Sequence, residues 1–193
     1  ELKKFYSGGH FHTLELEIFD SSNQTLVSDE LRFVVFQQVM STQIGDLYVF
    51  GDSLNDAGNA YNSVLNVPDV PPYWQGRFSN GPIWVDQFSS ALGLQTSIGS
   101  GTSSGDNRAF GGAQTGQGYS YLLLPNVGTQ INDYLGHVQS TIPSNSVIAL
   151  WAGGNDFLYG TGNPNVIVTN MVTHVRTLAL AGGQTFIIPN LPP

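Results

Sequence analysis

Acyl transfer needs a nucleophile, a base and hydrogen-bond donors aimed at the oxygen that becomes negative. Ser53 is the candidate nucleophile. It stands in Gly51-Asp52-Ser53-Leu54, directly after the apolar run Leu47-Tyr48-Val49-Phe50 and before Asn55-Asp56-Ala57-Gly58-Asn59. That order reads as a buried strand running into a turn and a helix start. Such a turn exposes a serine hydroxyl, and free backbone N–H groups at a helix start favour nearby negative charge. The same residues also fit a helix capping box, with Ser53 as N-cap and Asp56 three residues on. Two further polar turns follow predicted strands: Gly111-Gly112 after Asn107 to Phe110, and Gly153-Gly154-Asn155-Asp156 after Val147 to Trp151. Taken alone, both are ordinary turn chemistry.

The elements that must position these turns alternate in type. Asp46 to Phe50 is predicted as the first strand and residues 56–65 as a short helix or loop. Asn66 to Asn80 is a loop rich in Pro and aromatic residues. Ile83, Trp84, Phe88, Ala91 and Leu92 recur at helical spacing, with Gly93 as a C-cap. Ser97 to Gly105 is a Gly/Ser loop and Asn107 to Phe110 a short strand. Val127 to Val138 is a helix, Val147 to Trp151 a strand, and Pro164 to Ala181 the longest helix, closed by Gly182-Gly183. Thr185 to Ile188 is a further strand, followed by Pro189-Asn190-Leu191-Pro192-Pro193. Strands separated by helices predict a parallel sheet covered on both faces, with ligands at the carboxyl ends of the strands. Residues 1–45 differ. Phe11 to Phe19 and Leu31 to Phe36 alternate apolar and polar about a turn-like Ser21-Ser22-Asn23, and predict a small β unit. The expected organisation is an N-terminal β extension over 1–45 and one α/β domain over 46–193.

Composition narrows the function classes. Six Lys and Arg against fourteen Asp and Glu give a net charge of −8, which argues against nucleic acid or an anionic membrane as an electrostatically driven partner. Only 10% of residues are charged, and Gly, Ser, Asn, Thr and Gln supply the polarity. With no cysteine, a disulfide framework and a thiolate metal site are excluded. Such a lysine-poor surface is commoner in exported proteins, so a secreted location is expected. Asn23-Gln24-Thr25 is a glycosylation sequon, meaningful only in a host that glycosylates. No apolar run approaches the roughly 18 residues needed to span a bilayer. Gly116-x-Gly118 matches neither glycine-rich phosphate-binding pattern.

The segment from Tyr48 to Asn59 (YVFGDSLNDAGN) resembles the first sequence block of the GDSL, or SGNH, family of ester hydrolases. Asn107-Arg108-Ala109-Phe110-Gly111-Gly112 is similar to the second block, and Gly153-Gly154-Asn155-Asp156 to the third, Gly-x-Asn-Asp. Gly76-Arg77-Phe78-Ser79-Asn80-Gly81 with Trp84 resembles a segment of larger extracellular members. The resemblance covers about residues 46–193. It implies a three-layer α/β/α fold with a mainly parallel, flavodoxin-like sheet of order 2-1-3-4-5. It implies Ser53 as nucleophile, with the backbone N–H of Gly112 (Gly111 being the neighbouring alternative) and the side-chain amide of Asn155 as oxyanion donors. Asp156 would brace its loop. Arg77, Phe78 and Trp74 would lie at the mouth of the site and contact substrate. No metal or organic cofactor is implied.

One part of the family pattern has no counterpart. The fifth block, Asp-x-x-His, supplies the base and its orienting carboxylate, and neither it nor the fifth strand occurs in this sequence. His137, four residues after Asp133, and His174 lie on predicted helices and are expected at the surface. His10 and His12 fall in the N-terminal extension. The expectation is therefore an ester hydrolase of lipid, short acyl or acetylated carbohydrate esters, with the base carried by a second chain or a further segment. The alternative is a binding or structural protein on the same scaffold.

Overall fold

The computed structural model describes residues 12–19, 25–33, 44–94, 107–137 and 141–191. Two strands, β1 (His12–Phe19) and β2 (Thr25–Phe33), form an antiparallel pair in a sheet of their own. The second strand begins at Thr25, six residues before the alternation that predicted it. Polar residues such as Ser28 and Asp29 take part in the ladder even though their types disfavour a strand. The predicted turn at Ser21-Ser22-Asn23 and the stretch from Val34 to Phe36 lie outside the described residues, as do the sequon asparagine and the 97–105 loop.

The main sheet contains β3 (Asp46–Gly51), β4 (Ser146–Trp151) and β5 (Thr185–Ile187), all parallel, in the order β3-β4-β5. On the other side of β3, Asn107 bridges Val49 in parallel. Arg108 and Phe110 continue that contact by donating to the carbonyls of Val49 (2.8 Å) and Gly51 (3.1 Å). The spatial order is thus the 107–110 segment, β3, β4, β5, which matches 2-1-3-4.

Alternation along β3 and β4 makes the layers. Tyr48, Phe50, Ile148 and Leu150 point to one face. There they pack on Val127, Ile131 and Tyr134 of α2 (Val127–His137) and on Met171, Val175 and Leu178 of α4 (Pro164–Leu180). Leu47, Val49, Val147 and Ala149 point to the opposite face, against Ile83 and against Val85 of α1 (Trp84–Ala91). A strand buried on both faces must be apolar at nearly every position, as both runs are. Each fully buried Leu, Ile, Val or Phe contributes about 1.5–3 kcal/mol by leaving water.

The helix ends follow local rules. Asn163 caps α4, its side chain accepting from Asn165 N at 3.0 Å, and Pro164 takes the first turn, where a missing N–H costs nothing. At the end of α1, Leu92 is the cap and Gly93 follows it with φ 69°. Leu94 N returns to Ser89 O at 2.9 Å. A short helix, α3 (Gly154–Tyr159), occupies the stretch that sequence patterns mark only as a turn. Residues 56–65 are turns and bends without a helix.

Candidate active site

The turn that carries Ser53 is built by the end of β3 meeting the end of β4. Gly51 has φ 146°, and the Trp151 carbonyl and Asn55 amide stand where a Cβ would be, so only glycine fits. Buried Gln130 on α2 clamps the same residue, accepting from Gly51 N at 3.0 Å and donating to Gly51 O at 2.9 Å. Asp52 N donates to Trp151 O (3.3 Å). The Asp52 carbonyl accepts from Asn55 N and Asp56 N, both at 3.0 Å. Ser53 is half-buried at the apex. Among the described residues its N–H and hydroxyl have no partner.

The capping-box reading of Ser53 and Asp56 does not hold. The turn is capped by Asp52, whose Oδ1 accepts from Leu54 N at 3.0 Å. Asp56 is fully buried and accepts instead from Gly58 N (2.8 Å), Asn59 N (2.6 Å), Ala60 N (3.2 Å) and, across the site, Gly111 N (2.8 Å). No α-helix begins at Ser53, so no helical N3 position exists to complete the box.

Asp56 therefore joins the first turn to the second and engages the N–H of Gly111. The next N–H, that of Gly112, has no acceptor among the described residues, and Gly112 adopts φ 79°. Three buried asparagines reinforce the junction. Asn107 Nδ2 donates to Asn55 O (2.8 Å), and Asn59 Nδ2 donates to the carbonyls of Asn107 (2.9 Å) and Ala109 (2.8 Å). Asn55 Nδ2 donates to Phe50 O at 2.9 Å while its Oδ1 accepts from Trp84 Nε1 at 2.8 Å.

The third turn is tied to the second in the same way. Asn155 is buried and donates from Nδ2 to Ala113 O at 3.0 Å. Its amide carries two N–H bonds, so one remains. Asp156 accepts from Thr115 N (2.9 Å) and Thr115 Oγ1 (2.6 Å), which makes it a brace. His174 is buried on α4, where a surface residue was expected. Its Nε2 lies 2.6 Å from Thr115 O, a contact that requires Nε2–H to donate. Asn170 Nδ2 adds a bond to Thr115 Oγ1 at 3.0 Å. Of these polar residues, Asn55, Asn59, Asn107, Gln130, Thr115 and His174 carried no role in the sequence reading. The available signal was amide and hydroxyl residues next to strands too apolar to leave them in water.

Burial governs the charges here. Desolvation raises Asp52 from 3.8 to about 6. The Leu54 N–H works against that rise, and the nearby Asp156 carboxylate adds to it. Desolvation also raises Asp56 from 3.8 to about 6, opposed by its four backbone donors. His174 is held below its ordinary value by burial, so it stays neutral near pH 7.

The Pro- and aromatic-rich loop covers one side. The Phe78 ring packs directly on Gly111, and Tyr73 lies 6.2 Å from Phe78, centroid to centroid. Arg77 forms a two-point bond with Asp86 of α1 (Nε to Oδ2 3.2 Å; NH2 to Oδ1 2.8 Å) and lies 5.0 Å over the Trp74 ring. The Arg77 guanidinium thus pins this loop to α1. Among the described residues no group of three His, Cys, Asp or Glu side chains is arranged to hold a metal ion. No helix among them is long and apolar enough to cross a membrane. His12 opens β1 and His137 closes α2, their side chains lying outside the described set together with His10.

Comparison with known proteins shows the family. The sequence profile of the GDSL-like Lipase/Acylhydrolase family matches residues 47–193. The phosphatidylcholine-sterol acyltransferase of Aeromonas hydrophila is 30% identical over 159 residues, covering 76% of this chain and 44% of that protein. The thermolabile hemolysin of Vibrio parahaemolyticus is 33% identical over 155 residues, covering 78% of this chain and 34% of the relative. A GDSL esterase/lipase of Arabidopsis thaliana is 24% identical over 211 residues, covering 83% and 58%. The matched region spans between about a third and three-fifths of these relatives' lengths.

Proposed function

Because this chain belongs to the GDSL-like lipase/acylhydrolase family, we propose that it acts as an ester hydrolase through a serine acyl-enzyme, with Ser53 as nucleophile. Ser53 Oγ attacks the ester carbonyl. The N–H groups of Ser53 and Gly112 and the free N–H of the Asn155 amide hold the tetrahedral oxyanion. Collapse expels the alcohol, and water then releases the acyl group. The proton from Ser53 goes to a histidine supplied by a second chain or a further segment, because His174 is committed to Thr115 O.

The observation that carries this reading is the capture of Gly111 N by Asp56, while Gly112 N and Ser53 N, on two cross-tied turns, have no acceptor among the described residues. It favours Gly112 over Gly111 as the second oxyanion donor. The candidate substrates are lipid esters, short acyl esters and acetylated carbohydrates. Arg77 would hold Trp74 and Phe78 in place at the mouth, where they contact the substrate. The lysine-poor, weakly charged surface supports an exported protein. Residues 1–45 would form an extension outside the catalytic domain.

The test is burst release of p-nitrophenol from p-nitrophenyl acetate by the full natural chain, with Ser53→Ala beside it. A burst of one equivalent that vanishes in the variant is expected. A second reading, a non-catalytic binding protein on this scaffold, is favoured by the engagement of His174 away from Ser53. A folded natural chain with no Ser53-dependent burst would establish that alternative.

A further inference from the structure

Tyr121 and Tyr159 are both more than half exposed (57% and 55%), yet their rings stack with centroids 4.3 Å apart and planes inclined by 36°. An exposed stacked pair is unusual, because neither ring gains full burial from it. The pair joins the end of α3 to a turn that touches Gly112. Tyr159 ends α3, the helix that carries Asn155. Tyr121 sits on a tight turn closed by Ser120 N to Leu124 O and Leu123 N to Ser120 O, both 2.8 Å. A methyl group on Gly112 would stand 3.3 Å from Tyr121 Cε1 and 3.1 Å from Leu122 Cδ1, so the platform begins in contact with Gly112.

The two segments that carry the pair are poor in charge, the buried Asp156 of α3 apart. Leu123 and Leu158 are 78% and 71% exposed, and Phe157 is half exposed beside them. No Asp, Glu, Lys or Arg occurs from Gly111 to Asn132 or from Phe157 to Val175, in a chain of net charge −8. Exposed segments this poor in charge, in a molecule this acidic, suit a neutral apolar ligand. The Gln114 amide lies beside Gly160, next to Tyr159, and the exposed aliphatic Leu123 and Leu158 stand in the same two segments, where an acyl chain would gain from them and a sugar ring would not.

We propose that the Tyr121–Tyr159 pair is the binding platform for the acyl chain of the ester, so that these residues set a preference for longer acyl groups over acetyl. The assignment rests on the reading that the Gly112 N–H faces the ester carbonyl. A chain leaving that carbonyl then runs over the two rings. Each methylene removed from water tightens binding about fourfold.

The test is calorimetric titration of the protein with monomeric octyl-, decyl- and dodecylphosphocholine, kept below their micelle-forming concentrations. None of the three probes carries a carboxylic ester, so the result does not depend on acyl turnover, and Ser53→Ala should behave as the wild type. Affinity is expected to rise at least about tenfold from octyl to dodecyl. In Tyr121→Ala/Tyr159→Ala the rise should fall below about twofold, while Tyr121→Phe/Tyr159→Phe, which keeps both rings, retains it. An unchanged rise in the alanine variant overturns the proposal. So does tyrosine-dependent binding of a cello-oligosaccharide, or tyrosine-dependent dimerisation, with no gain from chain length. An absent burst from both p-nitrophenyl acetate and p-nitrophenyl octanoate, with the chain-length dependence intact, supports an alkyl-chain platform and removes the hydrolase reading alone.

Discussion

Asp52 and Asn155 flank the proposed chemistry, and each makes a separate demand. Asp52 titrates near 6 in the folded chain against 3.8 in the open. A carboxyl raised in this way adds stability that is complete below pH 3.8 and is lost as pH rises through 6. Relative to Asp52→Asn, the wild type should therefore lose about 3 kcal/mol between pH 3 and pH 7, read from urea midpoints. Parallel pH profiles for the two proteins would mean that Asp52 is as well solvated as in the unfolded chain. On the proposed mechanism Asn155→Ala removes a donor to the transition state, so kcat for p-nitrophenyl acetate should fall about 100- to 1,000-fold with little change in KM. A rise in KM alone would reduce Asn155 to a ground-state contact. The turn that carries Ser53 was legible because Gly51-Asp52-Ser53 directly follows an unbroken apolar run. Asp56 and His174 were not, because residue type and spacing do not say which backbone group a buried polar side chain will meet.

The elements are held in register by side chains that cross between turns. Thr115 has its N–H and hydroxyl on Asp156 and its carbonyl on His174, so one residue couples α3, α4 and the glycine turn. Asp156→Ala leaves two buried donors unpaired. It should cost about 2–4 kcal/mol in urea unfolding and lower the Ser53-dependent burst rate, because Ala113 and Asn155 lose their common anchor. A loss under about 0.5 kcal/mol would show that Thr115 finds other partners. The strands β3, β4 and β5 were legible as short apolar runs, and α4 as a long periodic one opened by Asn163-Pro164. The helix α3 was not, since six residues opening on Gly-Asn-Asp carry turn propensities, and it is the Asp156 bonds that hold the segment in place. β2 was misplaced because its polar residues satisfy a ladder that only pairing with β1 supplies.

At the scale of the molecule, one sheet sets the geometry. All three turns leave the carboxyl ends of parallel strands or of the 107–110 segment, so their N–H groups gather at a single edge. The two-faced core makes this arrangement rigid. Phe50→Ala, in the layer that supports Gly51, should cost about 3–5 kcal/mol by calorimetry, and a cost below about 1 kcal/mol would mean that this core does not hold the site. The parallel sheet was legible from alternating strands and helices and its order from the family resemblance, whereas the source of the base and the role of residues 1–45 lie beyond the pattern. On the proposed mechanism Ser53 Oγ is an accessible nucleophile beside oxyanion donors. The direct measurement is mass spectrometry of the full natural chain after incubation with diethyl p-nitrophenyl phosphate. The expected result is one diethylphosphoryl group, located on Ser53, absent in Ser53→Ala and formed more slowly in Asn155→Ala. An unmodified Ser53, or a single adduct on another residue, would contradict the account.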